Sequence, residues 1–191
     1  MPLVMLRDLP RYESLLEAAR EFPDLEPSAT EAFLHLLRAG DAVLRLVENN
    51  LARHNITQGR FGVLMALLAN DRGGPHLSPL TPTTLAERTG VTPATMTGLI
   101  DTLESGGLVQ RTHDPRDRRK IVVKLAPRAL KLLAKILPGH FQLMTAVLLP
   151  LNHSERELLV SLLQRIANRA SVLAAPGGKT VAKPTAPGAR S

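Results

Sequence analysis

A mainly α-helical fold carrying one small β-hairpin is predicted by three observations. A helix start signal, threonine followed by proline, occurs twice in close succession at Thr81-Pro82 and Thr92-Pro93. Two β-branched runs within residues 107–125 are joined by a hinge crowded with arginine. Apolar stripes of helical period, opened by capping signals, lie towards both ends of the chain.

Residues 10–22 have the pattern of a short amphipathic helix ended by Pro23. Ser28-Ala29-Thr30-Glu31 reads as a capping box, in which serine and glutamate each satisfy a free N–H. It opens a helix over about 28–54 with the stripe Phe33, Leu36, Leu37, Val43, Leu44, Val47 and Leu51. Gly40, in its middle, suggests a bend or a close helix crossing. Thr57 caps a further helix through Ala69, almost wholly buried through Phe61, Leu64, Met65, Leu67 and Leu68. Asn70 to Pro75 then reads as a loop.

In each Thr-Pro pair the hydroxyl serves as N-cap and the proline takes the first helical position, where its missing N–H costs nothing. Gly90 ends the first of these helices and Gly106-Gly107 the second. Two short helices joined by a tight glycine-containing turn form a helix-turn-helix, whose second helix enters the major groove of DNA. On that second helix Met96, Leu99, Ile100 and Leu103 recur at helical spacing and face the core. Pro93, Ala94, Thr97, Gly98 and Asp101 are left outside, a small face that suits close approach to base edges. Together with Thr92 and Thr95 at the helix start, this face is the candidate DNA-reading surface. Ala94 and the Thr97 methyl can touch a thymine methyl, and a threonine hydroxyl can reach a base or a phosphate. Gly98 costs about 1 kcal/mol relative to alanine in a helix interior; either it admits a close backbone approach to DNA or it has no function.

The hinge that follows carries Arg111, Arg116, Arg118, Arg119, Lys120 and Lys124 against Asp114 and Asp117, a net +4 on one loop. Arg111, Arg116, Arg118, Arg119 and Lys120 are the candidate DNA-contacting cations. A solvated charged loop has the same composition, and the adjoining helix-turn-helix favours a wing that meets an anionic polymer.

Beyond the wing, Pro127 to about Leu149 reads as helix with Leu130, Leu133, Ile136 and Leu137 in register, and Pro138-Gly139 should kink or interrupt it. Ser154-Glu155-Arg156-Glu157 reads as a second capping box opening a last helix to about Leu173, with the stripe Leu158, Leu159, Leu162, Leu163 and Ile166. A small DNA-binding lobe cannot cover helices from both ends of the chain. A two-fold partner can, which makes Phe33, Leu36, Leu37, Leu158, Leu159, Leu162 and Ile166 the candidate dimerisation residues; a monomeric helical bundle packing the same stripes is the alternative. Residues 174–191, rich in proline, glycine and alanine, have the composition of a disordered tail.

The 191 residues, 44% hydrophobic, suffice for one well-packed domain. A net charge of +7 points to an acidic polymer as partner. No apolar run approaches the roughly 20 residues that a membrane span requires, and the start of the chain lacks a secretory pattern, so an intracellular, cytoplasmic protein without a membrane partner is expected. The absence of cysteine excludes disulfides and thiol redox sensing. With 3% aromatic residues and no tryptophan there is no stacking platform for single strands, which leaves duplex DNA. His35, His54, His76, His113, His140 and His153 show no metal-ligand spacing, and neither a nucleophile with its base nor a phosphate-binding glycine loop is present. No enzyme, catalytic residue, metal or cofactor is expected.

Val91 to Glu104, followed by Gly107 to Arg111 and by Asp114-Pro115-Arg116-Asp117-Arg118-Arg119, resembles the MarR family of winged helix-turn-helix transcriptional regulators. The Asp-Pro-x-Asp-x-Arg wing is the most specific part of a likeness that runs from about Ser28 to Ala170. The resemblance implies that Arg119 enters the minor groove, that Arg118 and Arg116 flank it as phosphate partners, and that the first and last long helices of two subunits interlock. It also implies a small aromatic or phenolic anion as effector of a repressor. Family members often carry arginine or asparagine at the positions of Pro93 and Gly98, so here weight shifts to the wing and to DNA shape.

The expected organisation is thus an N-terminal extension at 1–27, dimerisation helices at 28–56 and 127–173, a winged helix-turn-helix lobe at 57–126 and a tail at 174–191. A ligand-responsive, sequence-specific repressor is the leading function. A winged helix used only for protein interaction and an architectural DNA binder are the alternatives.

Overall fold

The computed structural model describes residues 8–73, 78–114 and 117–175. Their elements are α1 (Tyr12–Glu21), α2 (Pro27–Ala52), α3 (Gln58–Arg72), α4 (Pro82–Thr89), α5 (Pro93–Ser105), β1 (Val109–His113), β2 (Ile121–Leu125), α6 (Pro127–Val147) and α7 (His153–Ala174). The fold is mainly α with a two-stranded antiparallel hairpin, as expected.

Capping chemistry sets the helix starts, and twice it differs from expectation. The α2 cap is Glu26, not Ser28: the Glu26 carboxylate accepts from Ser28 N at 3.2 Å and Ala29 N at 2.5 Å, while the Ser28 hydroxyl itself donates to Glu26. Pro27 explains the shift, because proline at the first helical position needs no N–H and leaves the preceding residue as cap. Asn152, not Ser154, opens α7 in a reciprocal box with Glu155, at 3.0 Å and 2.8 Å. Thr57 caps α3 as expected, through Arg60 N. That helix continues through 70–72, where a loop was expected; Gly74 and Pro75 lie outside the described residues.

α2 runs unbroken through Gly40, and α6 contains Pro138 without interruption. Proline in a helix interior costs about 3 kcal/mol. Burial on both sides offsets it: Leu133 and Ile136 are fully buried before it, and the His140 ring packs edge-on to Phe61 at 4.9 Å after it.

Packing divides the chain after Met144. In the first unit Leu51, Val63, Leu64, Leu85, Met96, Ile100, Leu103, Val109, Leu133 and Ile136 form one core with essentially no exposure. α3 is central to it, contributing Phe61, Val63, Leu64, Leu67 and Leu68; Met65 packs at its edge, only partly buried. The hairpin joins this core in the register Val109 to Leu125 and His113 to Ile121, and Val123 N–H also donates to Leu80 O at 2.9 Å. In the second unit α7 buries none of its residues. It ends at Ala174, which was expected to begin the tail at 174–191, and residues 176–191 lie outside the described residues.

Candidate nucleic-acid interface

α4 and α5 are joined by Gly90, Val91 and Thr92, and Gly90 is left-handed at φ 68°. A side chain is rarely tolerated there, which is why glycine ends α4. Thr81 caps α4 through Thr84 N at 3.2 Å, and Thr92 caps α5 through Thr95 N at 3.1 Å. α5 stops at Gly106 and Gly107, of which Gly107 takes the positive φ of 66°.

Met96, Ile100 and Leu103 of α5 are fully buried, and Leu99 packs half-buried against the core. A Cβ on Gly59 would lie 3.3 Å from Leu99, so α3 and α5 are in contact at that glycine. The opposite face of α5 exposes Thr92, Pro93, Ala94, Thr95, Thr97, Gly98 and Asp101. The hydroxyls on this face are bonded within the helix. Those of Thr92 and Thr95 lie 2.9 Å apart, Thr97 Oγ1 donates to Pro93 O at 3.0 Å, and Thr102 Oγ1 donates to Gly98 O at 2.8 Å.

Arg111 on β1 does not join the other cations of the wing. Its Nη2 donates to Asp101 Oδ1 at 2.6 Å, its Nη1 donates to Glu104, and its backbone N–H donates to Glu104 Oε1 at 3.1 Å. The hydrogen bond donated to Asp101 is the largest cause holding the guanidinium pKa above its ordinary value; burial opposes it and Glu104 adds to it. This clamp fastens the first wing strand to the second helix of the helix-turn-helix. Nothing local in the sequence signals it, since the partners lie seven and ten residues away and meet only after the chain turns.

The wing tip is organised by groups that are not themselves cationic ends. Asp114 N–H donates to Lys120 O at 2.9 Å, and Asp117 accepts from Lys120 N–H through its carbonyl and from Arg119 N–H through its carboxylate at 3.1 Å. His113 Nδ1 lies 2.7 Å from Arg118 O; a carbonyl only accepts, so this nitrogen carries the proton and donates. Arg118, Arg119 and Lys120 are left exposed, Arg119 with 94% of its side chain open to solvent. Its contact to Asp117 is 3.5 Å and that of Lys120 is 3.9 Å, too loose to neutralise the tip. Arg116 lies outside the described residues.

A cleft of about 510 Å³ opens where α2 meets α3, with Glu48, Asn55 and Arg60 among its lining. Asn55 there has φ 54°, a left-handed turn that asparagine tolerates.

A model of the MarR family matches residues 54–120, the stretch from the end of α2 to the wing tip. The chain is 34% identical to the HTH-type transcriptional repressor YetL of Bacillus subtilis over 168 residues, covering 87% of this chain and 97% of that repressor. It is 31% identical to the HTH-type transcriptional repressor NicR of Pseudomonas putida over 138 residues, covering 72% and 83%. Among solved structures, Bordetella bronchiseptica BpsR, whose DNA binding is regulated by 6-hydroxynicotinic acid, aligns with a TM-score of 0.60 and 26% identity over 72% of this chain and 98% of that one. A capped helix-turn-helix, a basic wing clamped to its second helix and a likeness that spans nearly the whole of a known repressor lead to one assignment: this chain belongs to the MarR family of helix-turn-helix transcriptional regulators.

Proposed function

We propose that this regulator is a homodimeric repressor that binds an inverted-repeat duplex site and releases it when a small aromatic acid binds. The observation that carries the DNA-binding role is the wing tip, where Arg118, Arg119 and Lys120 stand exposed while Arg111 holds β1 to α5. Phosphate contacts from such cations give affinity and register, and an arginine in a narrow minor groove adds specificity.

Dimerisation is supported by helices that expose what they should bury. Leu158, Leu162 and Ile166 of α7 are 59%, 41% and 48% exposed and Leu159 is half-buried; on α2, Phe33 is 59% exposed, with Leu36 and Leu37 half-buried. Apolar rows of this extent favour a second copy of the chain. The effector reading is supported by BpsR, whose DNA binding responds to a one-ring aromatic acid. In this chain the cleft beside Arg60 has a volume suited to such a ligand, with a guanidinium at hand for a carboxylate. Among the described residues no helix is long and apolar enough to cross a membrane.

Selection from a random duplex library by the full chain tests the proposal. An enriched pseudo-palindrome with half-sites roughly 34–36 Å apart is expected, because two recognition helices related by a two-fold axis meet one face of the duplex. Binding without enrichment of any sequence would make the protein an architectural binder, and no binding at all would leave only a protein-interaction role.

A further inference from the structure

The outer face of α5 lacks the side chains that usually read bases. Between Pro93 and Ser105 there is no arginine, lysine, asparagine or glutamine, so neither the bidentate contact to guanine nor the one to adenine can come from this helix. The threonines replace them only in small part, since of the three hydroxyls in the first two turns just one, in the Thr92–Thr95 pair, keeps a proton to give. Thr97 gives its proton to the Pro93 carbonyl and Thr102 gives its proton to the Gly98 carbonyl, and the Thr92 and Thr95 hydroxyls are bonded to each other. Beyond that single hydroxyl at the helix start, what the first two turns offer the groove is mainly apolar, with the Ala94 and Thr97 methyls exposed. Asp101, a turn further on, is tied to Arg111. In the major groove the apolar group on a base edge is the C5-methyl of thymine.

Gly98 adds an independent observation. A Cβ built there meets nothing within 4 Å, and its backbone is not left-handed, so neither packing nor conformation inside the protein requires glycine. By contrast Gly59 faces Leu99, and Gly90 and Gly107 have positive φ. Gly62 and Gly139 also face open space, but they lie on α3 and α6, away from the exposed face of the helix-turn-helix. A glycine that destabilises its own helix, on the face that meets the groove, is accounted for by a body that approaches from outside.

We infer that α5 reads thymine C5-methyl groups through Ala94 and Thr97, and that Gly98 is bare so that the helix backbone can lie against the base edges. This rests on the DNA-binding role proposed above, and the experiment separates the two. The duplex enriched from a random library by the full chain is remade with deoxyuridine replacing one half-site thymine at a time, which removes a single methyl. At the contacted thymines affinity should fall about fourfold, the effect of burying one methyl-sized group. Ala94→Gly should lose that sensitivity at one position while keeping it at the other, which a merely structural change would not do. Gly98→Ala should raise the thermal midpoint and weaken binding to the enriched duplex at least tenfold. Half-sites without thymine, uracil duplexes bound at full strength, or Gly98→Ala binding as tightly as wild type would overturn the inference while leaving DNA binding in place. Failure to bind any duplex would overturn the DNA-binding role itself, and binding without enrichment would overturn sequence-specific reading by α5.

Discussion

Arg111 of the first wing strand and Asp101 of the recognition helix are joined by a 2.6 Å charge-assisted hydrogen bond, with Glu104 closing the other arm of the guanidinium. The pair fastens the start of the hairpin to α5. With its guanidinium held by two carboxylates, Arg111 is expected to brace α5 and not to contact phosphate, although the sequence places it in a basic cluster. Arg111→Ala is expected to lower unfolding free energy by about 1 kcal/mol, because the pair is only partly shielded from solvent. It should weaken binding to the specific site while leaving the slope of log affinity against log salt unchanged, since no counterion is released through it. Anisotropy at several salt concentrations gives both numbers, and a slope reduced by about 1 would return Arg111 to the phosphate contacts.

The exposed cations should behave in the opposite way. Arg118→Ala is expected to weaken binding to every sequence and to lower the salt slope by about 1. Arg119→Ala should cost roughly 1–3 kcal/mol on the specific site, through the enhanced potential of a narrow minor groove, with the thermal midpoint unchanged because 94% of its side chain is open to solvent. An Arg119→Ala variant that binds its site normally removes the wing from specific recognition.

What could be read from the sequence was what is decided locally. Thr81, Thr92 and Thr57 cap the next helix within three residues, and Gly90 ends one through its own φ, so these elements needed no knowledge of the rest of the chain. Competition between nearby signals defeated the other starts: Glu26 with Pro27 outcompeted Ser28, and Asn152 with Glu155 outcompeted Ser154 with Glu157. Pro138 does not interrupt α6, because a local rule met a tertiary one, in which the burial of Ile136 and the contact of His140 with Phe61 carry the helix through. The clamp of Arg111 was hidden entirely, since it depends on how the hairpin packs against α5.

Glu26 gives the start of α2 a pH dependence. Its pKa is lowered from the ordinary 4.5, first by the hydrogen bond from Ala29 N–H and then by the Ser28 hydroxyl. A carboxyl whose folded pKa is depressed stabilises the fold above its unfolded value, and that contribution fades as pH falls through the folded one. The first turn of α2 should therefore loosen on acidification below 4.5, visible as loss of amide protection at Ser28 and Ala29. Glu26→Gln should show the loosened turn at neutral pH and little further change in acid; a pH response that survives this substitution would assign the effect to another group.

The last relationship to test is between the exposed row on α7 and DNA affinity. Leu162 is 41% exposed and Leu159 half-buried in the isolated chain, on a helix that buries none of its residues. If a second copy covers that row, replacing Leu159 and Leu162 together by aspartate places unpaired charge in an apolar interface, which is strongly unfavourable. The variant should sediment as a monomer with its helical content preserved, because neither side chain supports the core of the first unit. Each monomer then keeps one recognition helix and one wing. Losing the linked second half-site removes the effective concentration that joins two modest affinities into a large one, so binding to the full pseudo-palindrome should fall by 10²-fold or more, on the order expected for lost bivalency. The same samples should bind an isolated half-site as weakly as wild type does, which distinguishes a lost partner from a damaged recognition surface. A folded monomer that still holds the full site at wild-type strength would show that α7 is not the interface or that two subunits are not needed.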